Sequence, residues 1–167
     1  MNLLRHYRIS HRLMMNVVLM IIGIAGLLSI TLYYTYDGML TSRRAAIQEQ
    51  VQAAYGTLDY FYQQEKQGQL TRTQAQHLAK ETLRKMRFGN KNYFWINDAQ
   101  PVAIMHTAKP ELEGKPLDSI KDTQGKRLFV EFVHTAQANP NGGYVDYYWP
   151  KPGFSDPVFK VSYVKLL

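Results

Sequence analysis

No cysteine occurs in the 167 residues, which excludes disulfides and thiolate-held metals and leaves the compartment open. No HExxH or HxxxH spacing occurs either. His77, His106 and His134 fall in different predicted elements, so no metal ligand set is assigned. There is no GxSxG elbow around Ser162, and no GxGxxG or Walker A loop for a nucleotide. Asp118 and Asp122 stand where turn and cap residues belong, which leaves them no acid–base pairing to perform. Catalytic residues, metal and cofactor are all expected to be absent, and the chain is not expected to be an enzyme. A clustered basic stripe is missing too. The formal charge is +7, but Arg5, Arg8 and Arg12 supply three of these charges before the first acid. The +4 that remains is spread among both signs, so nucleic acid is not an expected partner.

What the N-terminal part has instead is a run without any charge, Leu13 to Tyr36. As a helix, roughly 24 residues reach about 36 Å, more than the roughly 30 Å hydrocarbon core of a bilayer. Arg5, His6, Arg8, His11 and Arg12 flank one end, and Tyr33, Tyr34 and Tyr36 form an aromatic belt at the other. The positive-inside rule places residues 1–12 in the cytoplasm, 13–36 in the membrane and 37–167 on its far side. A cleaved signal peptide would end in small residues, whereas this run ends in tyrosines. Gly23 and Gly26 are not at GxxxG spacing.

Leu40, Ile47, Val51, Ala54, Leu58 and Phe61 then recur at steps of seven, four, three, four and three, and Gly68 stops the helix. So narrow a seam serves either as core or as a signalling rod and homodimer contact. Thr71-Arg-Thr-Gln74 has the capping-box pattern and opens a second helix. Its buried stripe is Ala75, Leu78, Ala79, Thr82, Leu83 and Met86, and Gly89-Asn90 ends it. Arg84 and Arg87 have a structural explanation in its last turn.

Next come Tyr93–Asn97 and Val102–His106, two predicted strands joined by a turn at Asp98-Ala-Gln-Pro101. Alternation puts Tyr93, Trp95 and Asn97 on one face, and groups Val102, Ile104 and His106. Such a hairpin serves as core or as the wall of a small-molecule pocket. Residues 107–122 read as a surface loop, and a third helix is expected around Thr123 to Ala138. Tyr144–Trp149 and Val158–Leu166 complete an α+β chain with an antiparallel sheet and flanking helices. Tyr93, Trp95, His106, Tyr147, Lys160 and Tyr163 are the parts available for a ligand site: aromatic walls, neutral donors and one ammonium, suited to a carboxylate. Lys160 and Tyr163 lie on opposite faces of a regular strand, so both reach one pocket only through a bulge or a curled lysine.

NYFWINDAQPVAIMH, ELEGKPLDSIKDTQGKRLFVEFV, GGYVDYYWPKPG and KVSYVKLL, in this order, resemble a single Cache sensor domain of bacterial chemoreceptors over residues 40–167. The resemblance implies a PAS-like sheet behind a long N-terminal helix. It also implies a ligand such as acetate, pyruvate, lactate or propionate, bound without turnover, and it maps the pocket to Tyr93, Trp95, His106, Lys160 and Tyr163. Such receptors continue past this point with a further strand, a second transmembrane helix and an output domain. The sensor is therefore expected to lack its last strand here. A sensor histidine kinase or cyclase, or a membrane-tethered enzyme, are the alternative settings.

Overall fold

The computed structural model describes residues 9–89 and 91–167, which fall into two compact units, one ending at Arg43 and one beginning at Arg44. The N-terminal basic residues Arg5, His6 and Arg8, and Asn90 of the expected helix stop, lie outside the described residues.

In the first unit, helix α1 (Ile9–Lys66) carries the uncharged run with its apolar side chains exposed all round, from Leu13 to Tyr36. None of its most apolar window is buried, and by length and composition it can cross a membrane. Two of its hydroxyls are satisfied within the helix: Ser29 donates to the Ala25 carbonyl at 2.8 Å and Thr31 to that of Leu27 at 2.9 Å. A spanning helix must satisfy its polar groups in this way, because lipid offers them no partner.

The second unit uses the remainder of α1 as a packing face. Ala54 is buried, and Val51 and Leu58 pack with it against Leu83, Phe94 and Met105. Helix α2 (Arg72–Lys85) begins with the expected box: Gln74 N–H donates to the Thr71 hydroxyl at 3.3 Å, and Thr71 N–H to the Gln74 side chain at 2.9 Å. Ala75, Ala79 and Leu83 form its buried stripe, whereas Leu78 is exposed.

Strands β1 (Trp95–Asn97) and β2 (Ala103–His106) form the hairpin, shorter than expected. Its turn is built by Asp98, whose carboxylate accepts N–H bonds from Gln100 at 3.0 Å and Val102 at 2.8 Å. Pairing is Trp95 with His106, Ile96 with Met105 and Asn97 with Ala103, so Ile104 bulges out unpaired and exposed. The expected grouping of Val102, Ile104 and His106 fails for this reason: the extra residue resets the alternation and puts Ala103 in its place. Residues 107–122 are more than a surface loop. A single 3-10 turn (Pro110–Leu112) brings the chain back along β2, where Gly114 donates to the Ala103 carbonyl at 2.8 Å and Ala103 to that of Lys115 at 3.1 Å. That covers an otherwise open strand edge.

Helix α3 (Leu128–Ala138) starts later than expected because Asp122 accepts N–H bonds from Gln124 and Lys126, both at 2.9 Å, and holds residues 122–126 as a turn. Its Leu128, Phe129 and Phe132 join Trp95, Val145, Tyr147 and Trp149 in a second apolar cluster. Strands β3 (Gly143–Pro150) and β4 (Pro157–Val164) pair antiparallel without a break, from Gly143 opposite Val164 to Pro150 opposite Pro157. Among the described residues the four strands form two separate ribbons, β1–β2 and β3–β4. The first divides the clusters, with Trp95 on one side and Phe94 and Met105 on the other.

Candidate functional site

Four of the six residues singled out from sequence meet in one cavity. Tyr93, Trp95 and His106 come from the first hairpin and Tyr147 from β3, with Leu128, Phe129 and Phe132 of α3 and Trp149 of β3 completing the wall. Counted with its open mouth the space is about 200 Å³, but its enclosed part is only about 10 Å³, close to what one water needs, so the side chains nearly fill it. Edge-on ring contacts fix its floor: Phe132 lies 5.0 Å from Tyr147 and 5.4 Å from Phe129, centroid to centroid.

His106 is buried to 2 % exposure, and its ring is oriented by the main chain. The Lys109 N–H donates to Nδ1 at 3.1 Å, which leaves the proton of the neutral ring on Nε2. Burial, reinforced by the Lys109 ammonium, lowers the imidazole from 6.5 to about 4, so it is a neutral donor at ordinary pH. The Tyr93 ring stacks beside it at 5.4 Å. The Tyr147 hydroxyl shares a hydrogen bond of 2.9 Å with Ser162, and burial holds its phenol far above the ordinary range.

Lys160 pairs with Tyr147 across the β3–β4 ladder and so shares its face. Its ammonium lies 5.7 Å from the Tyr93 ring centroid and donates to the Pro150 carbonyl at 2.9 Å. Burial lowers its pKa first, and the ammoniums of Lys151 and Lys109 lower it further. Among the described residues no carboxylate forms a salt bridge with it.

Tyr163 is not brought to the cavity. The ladder has no bulge, so Tyr163 stays on the opposite face, stacked 4.9 Å from Tyr144 and donating its hydroxyl to the Asn141 carbonyl. Strand parity outweighs the proximity in sequence that grouped it with Lys160. Leu128, Phe129, Phe132 and Trp149 line the cavity without having been singled out, and Lys109 stands beside it. Trp149 stands two places after Tyr147 and shares its face, a placement alternation alone could have found. Lys109, whose ammonium sits 4.5 Å over the Trp149 ring, has no local sequence signal.

No acid lines this cavity. Its walls offer aromatic faces and neutral N–H and O–H donors, and Lys160 and Lys109 bring positive charge to the rings around it. Such a set is chemically suited to a small anion, which it could hold by direction as well as charge.

A Cache domain family model, dCache_2, matches residues 26–167; the domain is the one the sequence resembles, under a different subtype from the single Cache expected. Methyl-accepting chemotaxis protein McpP of Pseudomonas putida is 37% identical over 166 residues, covering 99% of this chain and 30% of that protein. Methyl-accepting chemotaxis protein CtpM of Pseudomonas aeruginosa is 33% identical over 135 residues, covering 80% of this chain and 23% of that protein. The chain thus spans less than a third of the length of either relative. Among solved structures, a periplasmic sensor domain of a chemotaxis protein superposes with TM-score 0.75 at 40% identity, over 77% of this chain and 89% of that one. A Cache chemosensory domain described for carboxylic acid recognition gives TM-score 0.74 at 39% identity, over 78% and 88%. Identity over nearly the whole chain, together with the family match, places it: the chain belongs to the Cache domain family and is similar to the sensor regions of methyl-accepting chemotaxis receptors.

Proposed function

We propose that this chain is the membrane-anchored, ligand-sensing part of a chemotaxis receptor and that its cavity takes a two- to four-carbon carboxylate, of the acetate, pyruvate, lactate or propionate class. The observation that carries the reading is Lys160: outside the lining of an acid-free aromatic cavity, its half-buried ammonium lies 5.7 Å from the Tyr93 ring, no carboxylate among the described residues pairs with it, and burial with the ammoniums of Lys151 and Lys109 lowers its pKa. A carboxylate would relieve that crowding and replace the lost water with a charge-assisted hydrogen bond. His106 Nε2–H and the Tyr93 hydroxyl would direct the second oxygen, and the rings of Trp95, Phe132, Tyr147 and Trp149 would enclose the short tail. The carboxylic acid recognition named for a structural relative at 39% identity supports the same class. Tyr163 has no part in this site.

Occupancy would favour one of two conformations of the sensor, by no more than the ligand's difference in affinity for them, and α1 would carry the bias toward the membrane. The reading includes an inner-membrane location with a periplasmic sensor, and a homodimer seamed along α1. Sedimentation of the chain in detergent at the mass of one copy would overturn the dimer.

Thermal unfolding with the four acids tests the ligand. Acid at 100 times its dissociation constant should stabilise the chain by about 2.7 kcal/mol, a rise of several degrees. Lys160→Met should weaken binding by about 10- to 100-fold, the worth of a hydrogen bond to a charged group. A wild-type chain that none of the four stabilises would sink the reading.

A further inference from the structure

One ionic group beside the cavity belongs neither to its wall nor to its rim. The Glu113 carboxylate receives two parallel bonds from Arg84 of α2, at 2.6 and 3.0 Å, and Arg84 is braced in turn by Glu81 at 3.0 Å. The same oxygen of Glu113 that takes the shorter bond also accepts the backbone N–H of His106 at 2.8 Å. Glu113 is tied to the element that holds the His106 ring. Its own N–H donates to the Pro110 carbonyl at 3.1 Å, Leu112 N–H donates to that of Lys109 at 3.0 Å, and Lys109 N–H is the donor to Nδ1. Main chain and ring of His106 are therefore both fixed from residues 109–113, and that turn is fastened to α2 by a two-point ion pair. The pairing with Arg84 holds the Glu113 carboxyl below its usual range and keeps it ionised. A carboxylate clamped at both oxygens cannot rotate, so the direction of its bond to His106 is set as well as its presence.

We propose that Glu113, clamped by Arg84, is the positioning residue of the ligand site, fixing the direction in which the His106 Nε2–H meets a bound carboxylate. The inference rests on the carboxylate reading above. Neither residue touches the ligand; both act through His106, as the outer partners of ligating histidines do.

The test uses the full chain in lipid nanodiscs with ¹⁵N-labelled histidine, titrated with acetate and with propionate. Glu113→Leu should bind either acid about tenfold more weakly. Glu113→Gln keeps an acceptor for the His106 N–H and should lose about threefold or less. In the ligand-free chain, the His106 ring signal should change from a single Nε2–H tautomer to a mixture in Glu113→Leu. In a His106→Gln background, Glu113→Leu should cost nothing further in affinity, a coupling that a purely structural role would not produce. Equal acid affinity and matching ring signals in wild type and Glu113→Leu overturn the proposal. If wild type binds neither of these acids, nor pyruvate, nor lactate, the carboxylate reading falls and the ring signal alone decides: a tautomer change supports positioning by Glu113, and no change overturns it. Should Glu113→Leu fail to fold, Glu113→Gln and Arg84→Met are compared on the same two readouts.

Discussion

His106 shows how a single buried side chain ties the stability of the fold to pH. Its imidazole falls from 6.5 in the unfolded chain to about 4 in the fold. Between those values the unfolded chain binds a proton that the folded chain refuses, so this contribution to stability is complete above pH 6.5 and declines as pH drops toward 4. The shift amounts to about 3 kcal/mol. His106→Asn should flatten that part of the stability profile. Urea unfolding of wild type and variant from pH 7 to pH 4 checks it, and parallel profiles would refute the assignment. At this scale the sequence was informative wherever local chemistry decides: Trp95, His106 and Tyr147 combine polar tips with apolar bodies on strands, and all three line the cavity. It misled where one inserted residue changes parity. Nothing local in Val102–His106 announces that Ile104 will bulge, because the bulge is set by how β2 meets its partner strand.

At the scale of elements, the helices were the legible part. A seam at helical spacing, a capping box and a glycine stop are signals within one segment: Val51, Ala54 and Leu58 pack and the Thr71 box forms as expected, and Gly68 follows the end of α1, but Leu40 of the seam is exposed and α2 ends at Lys85, short of Gly89. The returning segment Thr107–Asp122 was not legible as part of the sheet, since its pairing with β2 depends on residues far along the chain. The β3–β4 ribbon also binds the C-terminal part of α1 by side chains that no pattern marks. The Tyr144 hydroxyl donates at 3.0 Å to the Arg44 carbonyl and lies 3.0 Å from the Gln48 side-chain oxygen, and Lys165 donates to Gln52 at 3.0 Å. Tyr144→Phe should cost about 0.5–1.5 kcal/mol in equilibrium unfolding while leaving acid affinity within twofold. A large loss of affinity would place Tyr144 in the binding site instead of at the helix contact.

For the whole molecule, the topology rests on an asymmetry that survives any rearrangement of the fold: an uncharged run between a basic end and an aromatic one. Because the chain has no cysteine, one introduced thiol reports its own location without a background. Ser155→Cys, in the exposed connection between β3 and β4, should react with a membrane-impermeant maleimide on intact spheroplasts. Labelling only after lysis would reverse the proposed orientation. The unbroken β3–β4 register has a genetic consequence as well. Substitutions from Gly143 to Pro150 should fall into two interleaved phenotypic classes. Those at Val145, Tyr147 and Trp149 should shift the dose of acid that half-saturates the chain. Those at Tyr144, Asp146 and Tyr148 should leave that dose unchanged.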